Sequence, residues 1–325
     1  MKLRKIDGHV HLIGDGSSGS GCWFKVKTFK DKLLAKIMLR EAGLPTSTLK
    51  TGMDQLYVET LLKYVQSSDL DAAVLLAQDL PYDEKGNQLL KNAQFYVPNQ
   101  YVIDLAKKHS EFIPACSIHP ARLDALDELN RCIDAGVRVM KLLPNYLNID
   151  YANSAFFPFW KRMAEAKIIL LSHTGGEKTV KVYNPRFADP RKLKPVLECG
   201  VTVIAAHAAG RSGIFDADWT EDLLSMFKEY PCLFADNSAL TTLNRARTLK
   251  HVLSSSIQKR IIHGSDFPVP IVAFGPWMSK KITWAQCREI QKEPNVLQRD
   301  YLLKNAAGFS SKTFTRLDRI LSNEL

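Results

Sequence analysis

Eight strand-like runs alternating with helix-like segments predict an α/β chain of the (β/α)8, TIM-barrel class. The runs lie at 5–12, 72–78, 112–118, 138–143, 168–173, 201–207, 232–236 and 260–266, and are rich in Val, Ile, Leu and Ala. They are apolar on both faces, as strands of a parallel sheet covered on both sides are. Eight such units fit a closed barrel better than an open sheet, which would need a switch point in its strand order.

Taken in order, the first run is Ile6-Asp-Gly-His-Val-His-Leu12. An insertion over 13–50 follows, with Gly14-Asp-Gly-Ser-Ser-Gly-Ser-Gly21 and then an amphipathic helix near Lys30 to Ala42. The glycine stretch lacks the Gly-Lys-Ser/Thr ending of a phosphate loop, so no nucleotide site is expected there. Leaving the C-terminal end of a strand, it hangs over the barrel mouth, either as a lid or as a plain flexible loop. Leu56, Val58, Leu61, Leu62 and Val65 have helical spacing, as do Leu123, Leu126, Leu129 and Ile133. A second insertion, Asp79 to Val97, holds the turn-like Asp83-Glu-Lys-Gly86. Gly136 and Gly200 stand just before strands, where helix C-caps belong. Ala188-Asp-Pro190 reads as a capped helix start. From about 293 onward the pattern is of extra C-terminal helices. With no internal repeat and no linker, 1–325 reads as a single domain.

The 325 residues, 46% of them hydrophobic, suffice for a large core. No apolar run approaches the roughly 20 residues of a membrane helix, and the N-terminus enters a strand too early for a signal peptide. Six cysteines stand far apart without a Cys-x-x-Cys, which fits reduced thiols and a cytoplasmic location. The net charge of +10 favours anionic partners. The densest basic stretches, Lys25 to Lys36 and Lys178 to Lys194, lack the interleaved aromatics of a single-strand groove. A small anionic substrate is therefore expected, with neither nucleic acid nor membrane.

Chemistry-bearing residues sit at the strand ends. His9 and His11, two apart on a strand, point the same way. Lys141 follows Val139-Met140, His173 ends the fifth run, His207 the sixth and Asp266 the eighth. On the C-terminal face of a barrel these converge. Imidazoles and a carboxylate suit Zn²⁺, with Mn²⁺ or Fe²⁺ as substitutes. Such a site acidifies water for attack on a carbonyl, with Asp266 moving the proton from water to leaving group.

Asp7-Gly-His-Val-His11, Met140-Lys-Leu-Leu-Pro144, Gly264-Ser-Asp-Phe-Pro268 and Lys304-Asn-Ala-Ala307 resemble the amidohydrolase superfamily over nearly the whole chain. More narrowly, they resemble its amidohydrolase-related branch with aminocarboxymuconate semialdehyde decarboxylase. In binuclear members the strand-four lysine is carboxylated and bridges two ions. That resemblance implies His9, His11 and Asp266 on one ion, His173 and His207 on the other, and N6-carboxylysine at Lys141. In mononuclear members the strand-six histidine is the base, which implies His207 here and leaves Lys141 to contact the substrate. Leu143 stands where many relatives carry a histidine. One ion or two are both open, and relatives are commonly homo-oligomers.

Around the site, Arg211 is a candidate for gripping a substrate carboxylate, with Arg186 and Arg191 as lesser ones. Glu177 is placed to orient a ligand histidine. Asp236 and Asn237 are lining candidates. Trp23, Phe24, Tyr82 and Tyr146 in the mouth loops make an apolar wall, or Trp23 and Phe24 pack the lid on itself. His119 ends the third run, while His109, His251 and His263 read as structural. The leading function is a metal-dependent hydrolase of a small anionic amide or lactone. Non-oxidative decarboxylation of an unsaturated or aromatic acid is the alternative, and a TatD-like nuclease the third.

Overall fold

The computed structural model describes residues 2–213 and 215–324. Eight parallel strands form one sheet in chain order, the nearly closed barrel of a (β/α)8 fold: β1 Ile6–His11, β2 Ala72–Leu76, β3 Phe112–Cys116, β4 Val139–Leu142, β5 Ile169–Ser172, β6 Val203–Ala205, β7 Leu233–Asp236 and β8 Ile261–Ile262. Every residue of β2, β4, β5, β6 and β7 is buried, which is why those runs read as apolar on both faces. The registers Val139↔Ile169 through Leu142↔Ser172 and Leu170↔Val203 through Ser172↔Ala205 align the strand ends.

Contacts gather the chain into two compact units. One comprises Met1–Leu75, His109–Ile113 and Asp236–Leu325; the other comprises Leu76–Lys108 and Pro114–Ala235.

The first unit carries β1, β8, most of β2 and the C-terminal helices Val296–Ala306 and Ser311–Leu321. The last helix packs on β1 and β8 through Phe314, Leu317 and Ile320, all buried. The first insertion holds the helix Phe29–Glu41, started by a reciprocal Thr28–Asp31 capping box. The glycine stretch before it folds around one carboxylate. Asp54, 1% exposed, accepts hydrogen bonds from the backbone of Asp15, Gly16 and Ser18 and from the hydroxyls of Ser18 and Ser20. The loop's N–H groups thus converge on an anion supplied by the chain itself.

The second unit carries β4 to β6 and most of β7. Asp83 closes the turn of the second insertion by accepting from Lys85 and Asn87. Gly136 and Gly200, at φ 82° and 90°, end helices just before β4 and β6. The Asp189 side chain caps Arg191, and a 3-10 turn, Pro190–Leu193, leads into the helix Lys194–Glu198.

Two strands stop at least two residues before the site residue expected to end them. The sixth run was expected to continue to His207, but β6 ends at Ala205 and His207, Ala208 and Ala209 have φ of 58°, 46° and 55°. The eighth was expected to reach Asp266, but β8 ends at Ile262 and Asp266 has φ 69°. Left-handed backbone cannot continue a ladder, so both residues sit on turns beyond their strands. Among the described residues no disulfide forms and no helix is long and apolar enough to cross a membrane.

Candidate metal centre

In the first unit, β1 places His9 and His11 on one face. Their Nε2 atoms are 3.3 Å apart, and Asp266 Oδ1 lies 3.2 Å from the first and 3.3 Å from the second. His9 is fully buried, whereas His11 and Asp266 retain some exposure, so the cluster has a wet side. The centre of so nearly equilateral a triangle is about 1.9 Å from each corner, close to the zinc–nitrogen distance. These donors therefore fit a divalent ion.

The tautomer fits as well. Asp236 Oδ2 is 2.7 Å from His9 Nδ1, with both side chains fully buried. Donation from Nδ1 leaves the Nε2 lone pair facing His11 and Asp266. Asp236 Oδ1 accepts from the backbone and hydroxyl of Ser238, which fixes the carboxylate. Asp236 was read as a lining residue; it orients His9.

The loop carrying Asp266 is laced to β1. Asp7 Oδ1 accepts from the backbone N–H of both His9 (3.1 Å) and Ser265 (2.8 Å). Asp266 N–H donates to the His9 carbonyl and His11 N–H to that of Phe267. Tyr57 Oη donates to the His11 carbonyl at 2.6 Å. A Cβ on Gly264 would lie 2.7 Å from His9 Cβ, so only glycine allows this approach. Burial raises the pKa of Asp7, opposed by its hydrogen bonds to Ser265 and by the nearby Lys304 charge.

The second unit holds the other candidates. Lys141 stands on β4 opposite Leu171 and is 1% exposed, which rules out a lysine snorkelling off the rim. His173 immediately follows β5, its N–H donating to the Leu142 carbonyl. His207 Nε2 is 3.3 Å from His173 Nδ1, with the rings edge to face at 5.0 Å. Glu177 Oε2 lies 3.6 Å from His173 Nε2, beyond hydrogen-bond distance. Three left-handed residues in a row swing His207 toward His173. Such strain persists where surroundings enforce it, and here Gly175 packs against the Gly210 carbonyl so closely that a Cβ would sit 2.3 Å from it.

Of the substrate-contact candidates, Arg211 is half-buried just past that turn. Tyr146 is fully buried; its hydroxyl accepts from Gln94 N–H and its ring stacks on Phe95, so it is a core residue instead of a mouth wall. Arg191 is tied to Asp189 and Asp222, and Arg186 is exposed. Tyr82 is buried against the His119 ring. His119 is itself buried, with Nε2 donating to the Leu147 carbonyl and Nδ1 accepting from Ala121 N–H. Trp23 and Phe24 line a cavity of about 410 Å³ in the first insertion with Val26, Lys32, Lys36, Leu49 and Asp15.

The amidohydrolase family profile matches residues 6–309. The chain belongs to the amidohydrolase family. Among curated proteins none matches it in sequence. Solved structures share the amidohydrolase barrel at low identity. An uncharacterised TIM-barrel protein from Bordetella bronchiseptica is 16% identical, with a TM-score of 0.61 over 94% of this chain and 100% of its own. A probable 2-pyrone-4,6-dicarboxylic acid hydrolase from Acinetobacter baumannii, with citric acid bound, is 12% identical, with 0.55 over 94% and 100%. The 5-carboxyvanillate decarboxylase of Sphingomonas paucimobilis is 12% identical, with 0.53 over 95% and 100%. The amidohydrolase fold thus has both hydrolases and decarboxylases among its structural neighbours.

Proposed function

We propose that this amidohydrolase is a metal-dependent hydrolase that cleaves the C–O or C–N bond of a small anionic lactone or amide. The observation carrying the reading is the His9–His11–Asp266 cluster, three ligand-type atoms 3.2–3.3 Å apart with His9 braced by Asp236. When bound there, a divalent ion such as Zn²⁺ supplies Lewis acidity to a carbonyl oxygen and acidifies the attacking water.

The residues do the rest. His9 and His11 present their Nε2 atoms, and Asp236 keeps the first ring in the required tautomer. Asp266 accepts a proton from water as the water oxygen bonds to the carbonyl carbon. The C–O or C–N bond then breaks, its electron pair leaving on the heteroatom, which takes the proton back from Asp266. For the second unit, the family resemblance supports two readings: His173 and His207 would be metal ligands beside a carboxylated Lys141, or His207 would be the base. Arg211 and the net charge of +10 support an anionic substrate, in keeping with a fold neighbour described as acting on a dicarboxylic acid.

The test is turnover of a panel of carboxylated lactones and amides by zinc-loaded protein, with His9→Ala and Asp266→Asn as controls. Hydrolysis by the native chain alone supports the reading. Carbon dioxide release from aromatic acids, with no lactone or amide turnover, replaces it with decarboxylation.

A further inference from the structure

Lys304 stands in the last turn of the helix Val296–Ala306, where a lysine ordinarily reaches water. Its side chain is instead fully buried. The ammonium donates to the Gly264 carbonyl at 2.5 Å and to the Asp300 carboxylate one turn earlier. Asp300 also accepts from the Thr241 hydroxyl at 3.2 Å and lies 4.0 Å from His263 Nδ1, all of these groups buried. A buried ion pair contributes little net stability, because desolvation offsets its attraction, and apolar residues of equal size fill such space as well. Its location points to another purpose.

The carbonyl that Lys304 holds belongs to the residue two before Asp266. Asp266 has φ 69°, a conformation non-glycine residues keep only where their surroundings over-determine it. Three side chains supply that determination at successive backbone groups. Asn237 accepts from Gly264 N–H at 3.1 Å, Lys304 donates to the Gly264 carbonyl, and Asp7 accepts from Ser265 N–H at 2.8 Å. Asp7 also accepts from His9 N–H, so the loop and the ligand strand share one anchor.

We propose that Lys304 is a positioning residue for the His9–His11–Asp266 centre, holding the Gly264–Asp266 segment so that Asp266 faces both histidines. The inference rests on the metal-centre reading above. The test compares Lys304→Met, Lys304→Gln and the double variant Lys304→Met/Asp300→Leu with the native chain. Zinc affinity is measured by competition with a chromophoric chelator, alongside circular dichroism and Tm. The double variant removes both buried charges and preserves a folded interior where the single change does not.

The folded Met variants should bind zinc roughly 10–100-fold more weakly, the usual cost of losing support behind a ligand. Lys304→Gln keeps a donor for the Gly264 carbonyl and should recover part of that loss. A purely structural role would instead lower Tm and leave the folded protein's zinc affinity intact. Native-like affinity in a folded Met variant, or failure of every variant to fold, overturns the proposal. A native chain that binds no zinc overturns the metal-centre reading itself, and this proposal with it.

Discussion

His9 Nδ1 and Asp236 Oδ2 are 2.7 Å apart in a fully buried contact that joins β1 to the end of β7. The carboxylate holds the imidazole ring, fixes its tautomer and raises the basicity of Nε2. Asp236→Asn keeps the shape, removes the charge and turns one of the two accepting oxygens into a donor. The expected outcome is a zinc affinity roughly 10–100-fold lower, with a lower Tm from the lost buried hydrogen bond. Titration against a chelator checks this, and undiminished affinity refutes the role given to Asp236.

Gly264 is the point where the Asp266 loop meets β1. Alanine there would bring a Cβ to 2.7 Å from His9 Cβ and 3.4 Å from His9 N. Both contacts involve atoms that cannot swing aside, so the loop must move. Gly264→Ala should cost about 1–3 kcal/mol of stability, the range for overpacking. It should also weaken zinc binding, because the displaced loop carries Asp266. Urea denaturation and zinc titration of the same sample test both parts.

Asp54 organises the glycine stretch by accepting five hydrogen bonds. Asp54→Asn removes the charge and turns half the acceptor into a donor facing Ser18 and Ser20. A loss of about 2–3 kcal/mol is expected, as for hydrogen bonds to a charged group. Limited proteolysis should then cut within 14–21, where the native chain resists. Equal protease resistance would contradict the templating role.

His119 gives the fold a pH dependence of defined sign. Burial, aided by the neighbouring Arg122 charge and opposed by the Leu147 carbonyl, lowers its pKa from 6.5 to about 4. Protonation would also cost the bond that Nδ1 accepts from Ala121 N–H. The unfolded chain therefore takes up this proton first as pH falls. Stability is intact above 6.5 and lost progressively toward pH 4, by as much as about 3 kcal/mol at 1.36 kcal/mol per pKa unit. His119→Gln, which offers an amide NH2 to donate and a carbonyl oxygen to accept, should flatten the profile in that window. Urea midpoints at pH 7 and 4.5 for both proteins decide it.

The barrel was legible because each buried strand announces itself as a short apolar run, and period-2 spacing placed His9 and His11 on one face. The metal-type residues were legible because each closes such a run. Their supports were not. Asp236 lies 227 positions from His9, and local spacing carries no record of pairing at that separation. Lys304 follows the pattern of a solvated last-turn lysine, and its burial depends on how the C-terminal helix docks. Tyr146 follows a strand end, as a mouth residue does, yet its local helix turns it into the core. The glycine-serine stretch looks flexible until Asp54, more than thirty residues later, supplies its acceptor.

The most direct test of the metal centre is metal content per chain, by plasma mass spectrometry on protein purified without chelators or a histidine tag. The account predicts at least one divalent ion per chain in the native protein, lost in the folded His11→Ala/Asp266→Asn variant. A second ion that disappears in Lys141→Ala would assign Lys141 as its bridge. A native chain that stays empty after soaking in zinc and manganese would contradict the account.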